Sequence, residues 1–189
     1  KGRIGELISP EIPGEAESVE KELLRILGTN LHGRIIPAEF SVTAKCKRVA
    51  RDHGHLARVE VKFLEEISAH EIIRVWRQYS SRTQELELPS SPTKSIIFVD
   101  GKLDVDVHRW VGGDTKSPSV DPLAAMSVAV GEVEVVGDTL LYTVVADNTI
   151  RGAAGYSVLL AELLLVEGIL HDSNTILESE QSRLDMSKK

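Results

Sequence analysis

The side chains best suited to chemistry are Arg48 and His55. Arg48 continues the apolar side of a period-two stretch built from Phe40, Val42, Ala44 and Cys46, and His55 begins the apolar side of the next one, Ala57, Val59, Val61 and Phe63. A guanidinium drawn toward an apolar face needs an anion, so a carboxylate of the protein or of a substrate is expected beside Arg48. The imidazole of His55 can exchange a proton near neutral pH. Glu22 flanks the apolar stripe of a helix whose Glu17, Glu20, Lys21 and Arg25 point away. On the helix alone, a carboxylate at that edge reads as a surface group. Farther along, Asp147, Asn148 and Thr149 precede the small residues Gly152, Ala153, Ala154 and Gly155. Amides exposed at a helix start suit an anion or a dinucleotide, although small residues serve tight packing more often. His53 and His55 flank Gly54, but this spacing in a strand needs further ligands to hold a metal, and no metal site is expected.

Periodicity defines the elements that must place these groups. Ala16, Val19, Leu23, Ile26 and Leu27 recur at helical spacing and Gly28 follows as a stop, which predicts a helix over 16–27. Strands over 40–48 and 55–63 predict an antiparallel hairpin with Arg48 and His55 flanking one end. Ser68 with Glu71 reads as a capping box and Ile67 with Ile72 as a hydrophobic staple, opening a scaffold helix with the stripe Ile72, Val75, Trp76 and Tyr79. Leu88-Pro89-Ser90-Ser91-Pro92 is a connector. A second hairpin is expected from 95–99 and 102–111 about Asp100-Gly101, and a third from 126–136 and 140–146 about Gly137-Asp138. Between them 112–122 reads as an exposed loop. The third hairpin carries valine or leucine on both faces, as expected where one face packs on helices and the other meets a partner. A final helix is expected over 152–166, and the polar stretch 171–189 reads as a mobile tail beyond a domain of 1–170.

Composition bounds the function. The 189 residues are 42% hydrophobic and 27% charged, which suits one globular domain with or without an appendage. Lys and Arg number 22 against 29 Asp and Glu, a net charge of -7 that argues against a nucleic-acid partner held by bulk electrostatics. The one cysteine, Cys46, excludes an intrachain disulfide and a cysteine-rich zinc site, in keeping with a reducing cytoplasm. The apolar run 158–170 is interrupted by Glu162 and Glu167, so no membrane partner is expected, and no signal peptide is evident. There is no Walker loop, no GxGxxG after a strand, no HExxH and no internal repeat. The sequence starts at Lys1, which suggests a processed product or a piece of a longer polypeptide.

Several motifs occur in a specific order. Lys21-Glu22-Leu23-Leu24-Arg25-Ile26-Leu27-Gly28, then Ser41-Val42-Thr43-Ala44-Lys45-Cys46-Lys47-Arg48-Val49 with Gly54-His55, then Leu88-Pro89-Ser90-Ser91-Pro92, then Asp147-Asn148-Thr149-Ile150-Arg151-Gly152-Ala153-Ala154-Gly155 resemble the catalytic and dimerisation domain of aspartate-semialdehyde dehydrogenase in its archaeal and fungal form. The resemblance covers residues 8–170. It implies an α+β fold, a mixed and mostly antiparallel sheet covered by helices on one face, similar to the C-terminal domain of glyceraldehyde-3-phosphate-dehydrogenase-like enzymes. It implies NADP-dependent reduction of an aspartyl phosphate through a cysteine thioester, in the cytoplasm, for lysine, threonine and methionine biosynthesis. It further implies a small amino-acid-derived substrate and a homodimer or higher homo-oligomer. By resemblance, Glu22 holds the substrate ammonium, Arg48 its carboxylate, His55 acts as general acid and base, and Asn148 contacts the nicotinamide side of NADP. The residue types suit these roles, because a zwitterion needs one anchor of each sign and Arg grips a carboxylate at two points.

Departures from the family pattern matter as much. The family's Asn-Cys nucleophile motif and glycine-rich cofactor loop lie upstream of the matched region, and neither occurs here. Cys46 is expected to behave as a small apolar group instead. His53 stands where the family usually has an aspartate, and Arg51 where it has a valine or similar residue. Glu132 and Glu134 follow Gly131 where the family tends to carry two arginines, a sign reversal that would remove a phosphate or intersubunit contact. Arg109-Trp110-Val111 is the nearest counterpart of the family's Arg-Leu-Asp stretch. Two other classes fit these departures: a related acyl-CoA or acyl-phosphate reductase, for instance of malonyl-CoA type, and a non-enzymatic paralogue serving as a dimerisation module.

Overall fold

The computed structural model describes residues 11–170, and the tail expected over 171–189 lies outside the described residues. The chain divides into two compact units between Asp52 and His53.

The first unit contains the expected helix, α1 (Glu15–Ile26), entered through a left-handed Gly14. Glu15 and Glu17 in its first turn and Arg25 in its last complement the helix dipole. A small hairpin of β1 (Thr29–Leu31) and β2 (Arg34–Ile36) follows, which periodicity did not announce. Its turn residues His32 and Gly33 both have positive φ, 52° and 81°, the geometry demanded by a two-residue hairpin loop. Gly28 ends the helix where β2 crosses: a Cβ there would lie 2.3 Å from the carbonyl oxygen of Ile36.

Residues 37–52 carry no strand, so the expected hairpin of 40–48 with 55–63 is not formed. Two competitors explain this. The amide of Ala44 donates to Glu20 Oε1 at 2.8 Å instead of to a ladder. The segment expected as its partner, β3 (His55–Lys62), pairs along its whole length with β6 (Thr139–Ala146), whose apolar residues offer a longer surface.

The second unit is built on a mixed sheet of order β3-β6-β5-β4, with β4 (Ile96–Val99) and β5 (Val128–Val136) completing it. β3–β6 and β6–β5 are antiparallel, and β4–β5 is parallel. The β5–β6 hairpin is the one expected about Gly137-Asp138. The hairpin expected about Asp100-Gly101 is absent: Asp104 accepts the Asp106 amide at 2.8 Å and caps a short helix, α4 (Val105–His108). A local side-chain acceptor thus outcompetes the ladder, and β4 takes β5 as its neighbour.

Helix α2 (Ala69–Gln78) matches the expected scaffold element, with Trp76 against Phe98 and Tyr142 at ring-centroid distances of 6.5 and 5.1 Å. Ser68 is its N-cap residue but makes no side-chain cap bond, so the expected capping box is not realised there. The box occurs one helix later, between Ser81 and Gln84 at the start of α3 (Arg82–Glu85). The connector 88–92 is pinned to α5 (Gly155–Val166), because Ser90 donates its amide and hydroxyl to Glu162 at 3.0 and 2.7 Å. One buried cluster joins Leu103, Val105, Ala129 and Val145, and another joins Leu88, Met126 and Leu159. The start of α5 packs into the latter, since a Cβ on Gly155 would stand 2.4 Å from Met126 Sδ. No helix among the described residues is long and apolar enough to cross a membrane.

Candidate active site

The β3–β6 register sets His55 opposite Ala146. The backbone leaving β6 through Asp147 and Asn148 therefore runs beside the backbone entering β3 through His53 and Gly54. A side-chain bond joins the two: Gly54 N donates to Asn148 Oδ1 at 2.8 Å. Gly54 is left-handed, with φ 87°, and a Cβ on it would stand 2.4 Å from Val105 Cγ1 and 3.3 Å from Arg109 Cδ. Only glycine fits both the dihedral and the space.

Beneath this contact lies a buried ion pair. Asp147 is 2% exposed, and its Oδ2 is paired with Arg109 Nη1. Its other oxygen, Oδ1, accepts the amides of Thr149 and Ile150 at 2.9 and 2.8 Å. Burial alone would raise the Asp147 pKa, but the Ile150 and Thr149 amides and the Arg109 guanidinium together hold it below its ordinary value. The guanidinium also lies over the Trp110 ring, 3.7 Å from its centroid. His55 itself is exposed and Asn148 half-buried. Among the described residues no hydrogen bond engages Asn148 Nδ2.

Of the residues expected from sequence, His55 and Asn148 are thus brought to one end of the β3–β6 ladder. Arg48 and Glu22 belong to the first unit. There Arg48 is half-buried and its Nη1 lies 3.5 Å from the Glu11 carbonyl oxygen, while Glu22 is exposed on α1. The α1 carboxylate that engages the 37–52 segment is Glu20, two residues before the expected Glu22. Cys46 is half-buried. Among the described residues no three His, Cys, Asp or Glu side chains are grouped to hold a metal ion.

The acidic departures at β5 have a structural answer for Glu132. It sits in the left-handed region, φ 53°, where the β5–β6 register shifts. Its carboxylate accepts the Thr143 hydroxyl at 2.6 Å and the Leu103 amide at 3.1 Å, which lower its pKa in that order. Glu132 therefore holds the chain after β4 onto the sheet. The Arg109–Asp147 pair was missed from sequence, because its partners lie 38 residues apart; the available signal was an aspartate placed to cap the turn at Thr149–Ile150.

No protein-family model matches the chain. Aspartate-semialdehyde dehydrogenase of Archaeoglobus fulgidus is 36% identical over 167 residues, covering 86% of this chain and 44% of that protein. Aspartate-semialdehyde dehydrogenase of Methanothermobacter thermautotrophicus is 32% identical over 164 residues, 82% of this chain and 43% of that protein. Malonyl CoA reductase (NADP) of Metallosphaera sedula is 32% identical over 155 residues, covering 79% of this chain and 41% of that protein. Among solved structures, aspartate-semialdehyde dehydrogenase with NADP from Candida albicans superposes with a TM-score of 0.69 at 27% identity, over 85% of this chain and 45% of that one. Fold and relatives together define a mixed α/β domain of the kind found in aspartate-semialdehyde dehydrogenases. More narrowly, the chain belongs to the aspartate-semialdehyde dehydrogenase family, and it spans less than half the length of the relatives it matches.

Proposed function

We propose that this chain is the substrate-binding and dimerisation portion of an NADP-dependent aspartate-semialdehyde dehydrogenase, with residues 1–170 forming that portion. The observation that supports the reading is that Asn148, bonded through Oδ1 to the Gly54 amide, stands at the same end of the β3–β6 ladder as His55. In the net reaction the acyl carbon of aspartyl phosphate gains a hydride, phosphate leaves, and one proton is consumed. The reduced cofactor, NADPH, would supply the hydride when bound and leave as NADP+. Arg48 grips the substrate carboxylate, Glu22 balances its ammonium, and His55 gives and takes the proton at the reacting centre. Asn148 Nδ2 offers donors to an amide acceptor such as the carboxamide of nicotinamide. The dinucleotide phosphates and the thioester need a glycine-rich loop and an Asn-Cys motif, which these 189 residues do not contain. Homodimerisation through the valine-rich β5–β6 hairpin and a cytoplasmic setting belong to the same reading.

The test is to read the complete open reading frame containing this chain and to assay its product for phosphate-dependent NADP reduction with aspartate semialdehyde. An Asn-Cys motif and turnover support the reading; a complete product without either overturns it. A reductase of an acyl-CoA lacking an ammonium is the second reading, favoured by the malonyl CoA reductase relative and by the exposure of Glu22. Glu22→Gln separates the two: an unchanged KM for an amino-acid substrate removes Glu22 from the site.

A further inference from the structure

We infer that Asn148, braced by the Arg109–Asp147 ion pair, is a positioning residue that sets the backbone turn carrying His55. The inference rests on the reading of His55 as the proton-transfer group. It gives Asn148 a task on its Oδ1 side that is separate from any cofactor contact on its Nδ2 side.

His55 is exposed, so packing of its own ring cannot hold it. Its placement depends on the backbone just before it, which is left-handed at Gly54 and tied by the side-chain bond from Gly54 N to Asn148 Oδ1 at 2.8 Å. A carboxamide can define that amide only if its own backbone is fixed. Asp147 does this: one oxygen collects the Thr149 and Ile150 amides on the far side of Asn148, and the other is locked to Arg109. Arg109 in turn follows directly on α4, whose Val105 and the Arg109 stem form the surface against which Gly54 is seated without a side chain. The Arg109 stem therefore lies beside the glycine whose amide the carboxamide holds, and both ends of the arrangement meet at Gly54, the residue before His55. A site on such a short chain of supports loses geometry when any support is loosened.

The experiment uses this chain, with amide hydrogen exchange and histidine ring relaxation read by NMR. Asn148→Ala is expected to accelerate exchange at Gly54 by roughly 5- to 30-fold and to raise ring mobility at His55, leaving the Val145 amide in the sheet unchanged. Asn148→Asp keeps the acceptor oxygen and should restore the Gly54 protection, while lacking the amide donors. Arg109→Met should loosen Gly54 in the same way. Unchanged Gly54 exchange in Asn148→Ala, or acceleration shared equally by Val145, overturns the inference. In the complete enzyme, Asn148→Asp should raise the KM for NADP and keep more kcat than Asn148→Ala. An inactive wild-type enzyme would defeat the proposed function alone, since the NMR arm decides the positioning role by itself.

Discussion

Arg109 and Asp147 form an ion pair in which the carboxylate is 2% and the guanidinium 14% exposed. A pair this buried is worth little over an apolar substitute, yet removing one partner leaves a largely buried charge without its counterpart. Arg109→Met is therefore expected to lower unfolding free energy by about 3–5 kcal/mol in urea titrations. Asp147→Asn keeps the polar shape and should cost less. Equal and small losses for both would show that water reaches the pair.

The pair also sets an acid limit. The Asp147 carboxyl has a folded-state pKa below its ordinary 3.8, so ionised Asp147 favours the folded chain. That contribution is fully present above the unfolded value and is lost as pH falls through the folded one. Asp121 has the same sign, its carboxylate being held by the amides of Thr115, Leu123 and Asp114, and so has Glu132. The urea midpoint should fall between about pH 5 and about pH 3, and fall less steeply in Asp147→Asn. Parallel slopes for the two proteins would remove Asp147 as a contributor.

Gly54 joins the dihedral and the packing constraint in one residue. Gly54→Ala places a Cβ 2.4 Å from Val105 Cγ1 at a backbone φ of 87°. A cost of roughly 1–3 kcal/mol is expected. A neutral change in melting temperature would mean that α4 yields easily and that the turn before His55 is not fixed by it.

Local patterning was reliable where a segment's partner was close in sequence or its stripe was long. The helices α1 and α2 and the β5–β6 hairpin lie near their expected bounds, because caps, stripes and the Gly137-Asp138 turn are all local signals. It failed at 40–48 and at 102–111, where alternation was present but a side-chain acceptor, Glu20 in one case and Asp104 in the other, took the amide that a strand would have used. The site divides in the same manner. His55 and Asn148 stand out by residue type and motif order, whereas the support from Arg109 through Asp147 depends on contacts that only the folded chain brings together. Glu132 reads as a sign reversal in sequence, and its bonds to Thr143 and Leu103 become visible only once β5 bulges.

The proposed roles of Arg48 and His55 separate in kinetics of the complete enzyme. Arg48→Lys keeps a positive charge but loses the planar two-point grip, so it should chiefly raise KM for the substrate that carries the carboxylate. His55→Ala removes a group that moves a proton in the transition state, so it should chiefly lower kcat, by roughly 10²- to 10⁴-fold. Because His55 is exposed, its removal should leave the melting temperature close to that of the parent. Arg48 is half-buried, and a modest loss of stability is expected there alongside the KM effect. A purely supporting role predicts the reverse pattern, in which the melting temperature falls and the surviving folded enzyme keeps its kcat and KM. Measuring all three quantities on both variants discriminates the two, and unaltered kinetics with a depressed melting temperature would remove both residues from the active site.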